Sequence, residues 1–140
     1  MISCEEKLSE IEQELYNKVV GRWEIVSVHT RGFWGDELLY DDYFYISDSI
    51  LSPNSERAMH YKDNGEIVVE CSFEGITSME DYFATWMPED NDIKFNHCLF
   101  PNVIETTVYK LTETEFHYKI YFEWQSDRLM SEMYEYELKR

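Results

Sequence analysis

The chain of 140 residues predicts an all-β fold with one N-terminal helix, an antiparallel meander closed into a β-barrel of about eight or nine strands. Three observations carry this reading. The hydrophobic period falls from about 3.6 to about 2 at Val20, the segments beyond it are rich in β-branched and aromatic residues, and the joins between them are short and polar.

Cys4, Leu8, Ile11, Leu15 and Val19 recur at spacings of three and four, with acidic residues and Lys18 on the other sides. This places an amphipathic helix over about residues 4–18, opened by Ser3 and Glu6 as a capping box and laid across one end of the barrel. Strands are expected near 20–30, 39–47, 57–62, 65–73, 81–87, 92–98, 103–111, 115–125 and 129–138, so the barrel spans about 20–138. Asp63-Asn64-Gly65, Pro88-Glu89-Asp90-Asn91, Leu111-Thr112-Glu113-Thr114 and Ser126-Asp127-Arg128 are hairpin-length joins, which force antiparallel neighbours. Phe33-Trp34 and Leu38-Leu39 fall in or beside a longer first connection. In the clearest strand, Phe116, Tyr118, Ile120, Phe122 and Trp124 alternate with His117, Lys119, Tyr121, Glu123 and Gln125. Ile67, Val69, Cys71 and Phe73 form a second apolar row, and Tyr134, Tyr136 and Leu138 a third. An open sheet of such strands would leave bare edges, and closure removes them.

The length fits one domain over 1–140, large enough to bury about two thirds of the surface its unfolded form exposes. With 29 acidic against 12 basic residues the formal charge is −17, a field that repels nucleic-acid phosphates and anionic lipid; it reads first as an acidic, solvated surface with no partner and leaves a basic protein partner open. Cys4, Cys71 and Cys98 are odd in number and lack Cys-x-x-Cys spacing, so reduced thiols are expected rather than disulfides or zinc. No apolar run is long enough to span a membrane. A cytoplasmic protein is expected, although Ile2-Ser3-Cys4 resembles the end of a bacterial lipoprotein signal, which would make Cys4 a lipid anchor.

Val20-Gly21-Arg22-Trp23-Glu24-Ile25-Val26-Ser27 resembles the Gly-x-Trp first strand of the calycin superfamily, and within it the compact bacterial lipocalin-like domains. Tyr109 to Glu115 is similar to the hairpin of their penultimate strands, and Tyr134 to Arg140 to their last strand, whose terminal basic residue often packs over the first-strand Trp. The resemblance implies a lipocalin-like barrel that binds a small hydrophobic molecule. It supplies no ligand residues, because neither the long helix that follows the last strand in lipocalins nor the helical lid of fatty-acid-binding proteins is present. Physically, Gly21 admits close approach to the strand, Trp23 plugs one end, and an Arg140 guanidinium on that indole would add about 1 kcal/mol.

No catalytic set, metal site or cofactor is assigned, and an enzyme is not expected. His29, His60, His97 and His117 lie on four different strands without ligand spacing. Glu89-Asp90-Asn91-Asp92 lacks the pattern of a calcium loop, the adjacent pairs Asp41-Asp42 and Glu80-Asp81 point to opposite faces, no serine lies in a nucleophile elbow, and Cys71 sits in an apolar row. Aromatic density remains. A barrel lined by tyrosine can pack an apolar ligand and hydrogen-bond one end of it, or the rings can simply fill the interior. Two functions therefore stay open. One is a non-enzymatic protein, monomer or homodimer, holding a small hydrophobic or amphipathic ligand through Tyr118, Phe122 and Tyr134 with Trp34 at the mouth. The other is an acidic immunity- or inhibitor-like module with a filled barrel, binding a basic protein through its outer surface.

Overall fold

The computed structural model describes residues 8–45, 56–97, 104–125 and 128–140, with only the backbone of Phe83, His97, Ile104, Trp124 and Gln125. Among the described residues one helix, α1 (Glu10–Val19), precedes nine strands: β1 (Gly21–Trp34), β2 (Glu37–Tyr45), β3 (Glu56–Tyr61), β4 (Glu66–Phe73), β5 (Ile76–Glu89), β6 (Asp92–His97), β7 (Ile104–Leu111), β8 (Glu115–Gln125) and β9 (Leu129–Lys139). Every pairing is antiparallel. The sheet runs β6-β5-β4-β3-β1-β9-β8-β7, and these eight strands curl into a nearly closed barrel. The first strand meets the last along Glu24–Trp34, opposite Lys139–Met130. Among the described residues no ladder joins β6 to β7, so the seam lies there. No described helix is long and apolar enough to cross a membrane.

Four details depart from the sequence reading. The helix starts at Glu10, not near Ser3, because Ser9 and Glu12 form the capping box, with Glu12 N–H to Ser9 Oγ at 3.1 Å and Ser9 N–H to Glu12 Oε1 at 2.9 Å. Leu8 precedes that cap, while Ser3, Cys4, Glu6 and Cys98 lie outside the described residues. Phe33-Trp34 and Leu38-Leu39 are strand residues, since the first connection is only the turn Gly35-Asp36 between the paired Trp34 and Glu37. β5 begins at Ile76 because Glu74-Gly75, with φ of 51° and 81°, form a tight hairpin turn. Finally, the chain departs from a strict meander at β2, which shares one edge of β1 with β3: β3 takes Gly21–Glu24 and β2 takes Ser27–Trp34.

One end of the barrel is solid. Trp23, Tyr61, Phe95, Phe116 and Tyr118 are no more than 1% exposed and pack ring against ring, with Tyr118 stacked on Phe95 at 4.6 Å and Trp23 tilted against Phe116 at 5.6 Å. The helix closes this end. Tyr16 stacks on Trp86 at 5.6 Å and donates its hydroxyl to the Asp63 carbonyl, and Glu12 accepts the N–H of Asp90. Trp23 Nε1–H donates to the Val19 carbonyl at 2.7 Å, so the plug is tied to the end of α1. Arg140 lies over Trp23 at 4.0 Å, as the sequence leads one to expect, and donates to the carbonyls of Lys18, Val20 and Glu113. It thereby satisfies carbonyls that the last helical turn leaves without intrahelical partners. Gly21 serves this latch twice: its φ of 122° disfavours side chains, and a Cβ there would stand 3.0 Å from Arg140 Nη1.

Candidate functional site in the barrel half away from the helix

Residues directly opposite on paired strands share a face, so the ladders define the inward rows. A bulge between Ile25 and Ser27 shifts the inward parity of β1 from Trp23 and Ile25 to Val28, Thr30, Gly32 and Trp34. Opposite them on β9 stand Tyr136, Tyr134, Glu132 and Met130, and beyond those on β8 stand Tyr118, Ile120 and Phe122. Burial changes along these rows. Tyr136 and Tyr118 are 3% and 0% exposed, whereas Thr30, Tyr134, Glu132 and Trp34 face inward yet keep solvent contact. The interior is fully packed below Tyr136; above it Ile120 and Phe122 stay buried, at 3% and 5% exposure, while Thr30, Tyr134, Glu132 and Trp34 reach solvent.

The four residues singled out from sequence divide across this boundary. Tyr118 belongs to the packed half, and its hydroxyl is engaged by Tyr61 at 2.5 Å with Met59 Sδ nearby at 3.8 Å. Phe122 and Tyr134 come together higher up, stacked at 5.9 Å and 14°. Trp34 is half-buried at the rim, with the Arg128 guanidinium over its ring at 4.5 Å. Trp124 falls among residues whose side chains are not described.

Between these rings sits a carboxylate that the sequence reading passed over. Tyr134 donates its hydroxyl to Glu132 Oε2 at 2.6 Å. Burial, and then this bond to an anion, raises the Tyr134 phenol well above the ordinary tyrosine range. Tyr40 is pushed up to about 12, by burial first and then by the adjacent Glu132. Gly32 makes room for it: a Cβ at Gly32 would lie 2.2 Å from Tyr40 Cε1. The signal for Glu132 was present, since Met130, Glu132, Tyr134, Tyr136 and Leu138 fall on alternate positions of one strand. An acidic residue on an apolar row is what the period alone does not anticipate.

The opposite wall is also polar. Glu56 is paired with Cys71, and Glu80 with the buried Val69, so both carboxylates share the inward face of their strands. The Cys71 thiol lies 4.0 Å from Glu80 Oε2 and is pushed up by burial and then by Glu80 and Glu56, which keeps it a thiol at neutral pH. Tyr82 and Tyr136 share a hydroxyl contact at 3.0 Å, and burial raises both phenols. This half of the barrel thus offers stacked aromatic surface, neutral phenols and carboxylate oxygens, a combination suited to a molecule with an apolar body and a hydrogen-bond-donating end.

The histidines with described side chains are held by carboxylates on the outer surface: His29 by Asp41 at 2.6 Å and Glu135 at 3.3 Å, His60 by Glu70 at 3.1 Å, and His117 by Glu115 at 3.5 Å and Glu137 at 3.7 Å. Among the described residues no cluster of three or more His, Cys, Asp or Glu side chains is arranged to hold a metal ion. Comparison with protein-family models and with curated proteins finds no match to this chain.

Proposed function

We propose that the protein is a non-enzymatic, lipocalin-like binding barrel that takes one small amphipathic molecule into the half of its interior away from α1. The apolar body lies against Phe122 and Trp34, and the donor-bearing end meets Glu132 and Tyr134. The observation that carries this reading is the row of residues that face inward and still reach solvent, directly above a solid aromatic floor. Tyr118 supports that floor from below and does not touch the ligand.

N-phenyl-1-naphthylamine, a neutral amphipathic fluorophore, tests the proposal. Its emission should rise on titration into the purified protein, and Phe122→Ala should weaken binding by at least about 5-fold, the loss of one well-packed ring contact. Lys119→Ala, on the outer face, should leave affinity unchanged. No rise in emission, or equal affinity in Phe122→Ala with the fold intact, overturns the assignment. Native mass spectrometry adds a second readout, because a retained natural ligand would be displaced by the fluorophore in the wild-type protein.

A further inference from the structure

The outer face of the sheet carries a second, independent feature. Across β2, β1, β9, β8 and β7 a hollow of about 220 Å³ is lined by Tyr43, Ser27, Glu135, Glu137, His117 and Tyr109. Tyr43, Tyr45 and Tyr109 are each more than half exposed. Three large rings on one outer face are an apolar cost to a free protein and a common feature of contact surfaces.

Tyr43 and Tyr109 stand at opposite sides of this hollow, on β2 and β7, with the carboxylates of β9 between them. The Tyr43 side is ordered in advance: its ring meets His29 at 4.9 Å and Tyr45 at 5.0 Å. Glu137 is held by the buried Ser27, whose hydroxyl donates to Oε2 at 3.0 Å. Glu135 lies 3.3 Å from His29 Nδ1, and Lys119 sits at the far rim, 5.9 Å from the Tyr109 ring. A guanidinium entering here meets aromatic rings at the sides and, below, carboxylates that Ser27, His29 and His117 already orient, and it takes the place of Lys119 on the Tyr109 ring.

We infer that this groove docks a basic segment of a protein partner, seating one arginine side chain between Tyr43 and Tyr109 above Glu135 and Glu137. Charge complementarity selects the occupant. The formal charge of −17 steers cationic polypeptide toward the protein and repels nucleic acid and anionic membrane. A guanidinium is favoured over an ammonium because its plane stacks on a phenol ring while its edge bonds a carboxylate. The groove is on the outer surface, so the inference does not depend on an interior ligand.

The test is fluorescence anisotropy of the full chain with a labelled Gly-Arg-Gly-Arg-Gly-Arg-Gly peptide, alongside the same peptide with citrulline at each arginine. The arginine peptide should bind, weaken as salt rises, and lose at least about 5-fold affinity in Tyr43→Ala, a change that alters no charge. Glu137→Gln should cost a similar factor. Glu89→Gln removes the same charge at a distant hairpin and should leave affinity within about 2-fold, while Phe122→Ala should not affect it. Equal losses in Glu89→Gln and Glu137→Gln would show general charge attraction and overturn the site, as would unchanged binding in Tyr43→Ala or equal affinity for the citrulline peptide. Sedimentation that shows a dimer of the wild-type chain, dispersed by Tyr109→Ala, would assign the groove to a second copy and overturn the inference as well.

Discussion

The two halves of the barrel interior are built from the same strands and the same residue types, yet they solve different problems. Near α1, Tyr61 and Tyr118 spend their hydroxyls on each other, Trp23 and Trp86 donate to backbone carbonyls, and water is excluded. Toward the far end, Tyr134 turns its hydroxyl to a carboxylate and Trp34 keeps part of its ring wet. The difference shows that aromatic content alone does not distinguish the core from the proposed site. What distinguishes them is where the polar atoms of the rings find partners. In the core the partners are each other and the backbone, and in the proposed site they include an anion that solvent can reach.

The strongest way to break this contrast is to truncate matched tryptophans. Trp23→Ala should cost about 3–5 kcal/mol in chemical denaturation, because it empties the plug and strands Arg140. Trp34→Ala should cost less than about 1.5 kcal/mol, since its ring is only partly buried at the rim. Comparable losses would erase the distinction. Next in size is Gly32→Ala, whose methyl would drive into the Tyr40 ring and should cost about 1–3 kcal/mol. The same variant should reduce binding of the neutral fluorophore by displacing Tyr40 from Glu132. Smaller again is Tyr118→Phe, which leaves the Tyr61 hydroxyl only the Met59 sulfur and should cost about 1–2 kcal/mol at constant denaturant slope.

The smallest effect lies on the outer surface and depends on pH. Arg22 donates to Glu70 through Nε at 3.1 Å and Nη2 at 3.0 Å, and His60 joins at 3.1 Å. The Arg22 bonds first, and then that of His60, lower the Glu70 carboxyl to about 2. Its folded value thus lies below the unfolded one of about 4.3, so the contribution is whole above that pH and lost as pH falls toward 2. Half-exposed Arg22 limits it to about 1 kcal/mol. Glu70→Gln should therefore flatten the stability curve between about pH 4.5 and 2, measured by urea midpoints.

Much of this architecture could be read from the chain before any coordinates. Alternation over Glu115–Gln125 gives β8 with its correct ends, and Gly21, Trp23 and Arg140 give the closed end. Local signals failed where two candidates competed. Ser9-x-x-Glu12 and Ser3-x-x-Glu6 have the same form, and what favours Ser9 is the contact of Glu12 with Asp90, a residue distant in sequence. Glu74-Gly75 escaped notice because the polar Thr77-Ser78 stretch after it reads as loop until its pairing with Ser72 and Cys71 is known. The placement of β2 beside β1 and apart from β3 is a choice among edges that no window of sequence encodes. Glu132 was hidden for a related reason: its importance comes from Tyr40 and Gly32 on other strands.

The division of the interior is tested most directly by the indole N–H resonances of the protein's 4 tryptophans, followed by ¹⁵N–¹H correlation spectra as N-phenyl-1-naphthylamine is added. The Trp34 resonance should move with the binding curve while those of Trp23 and Trp86, fixed to the carbonyls of Val19 and Lys62, stay in place. Movement of the Trp23 or Trp86 resonance with Trp34 unchanged would put the ligand in the packed half beside α1 and contradict the division.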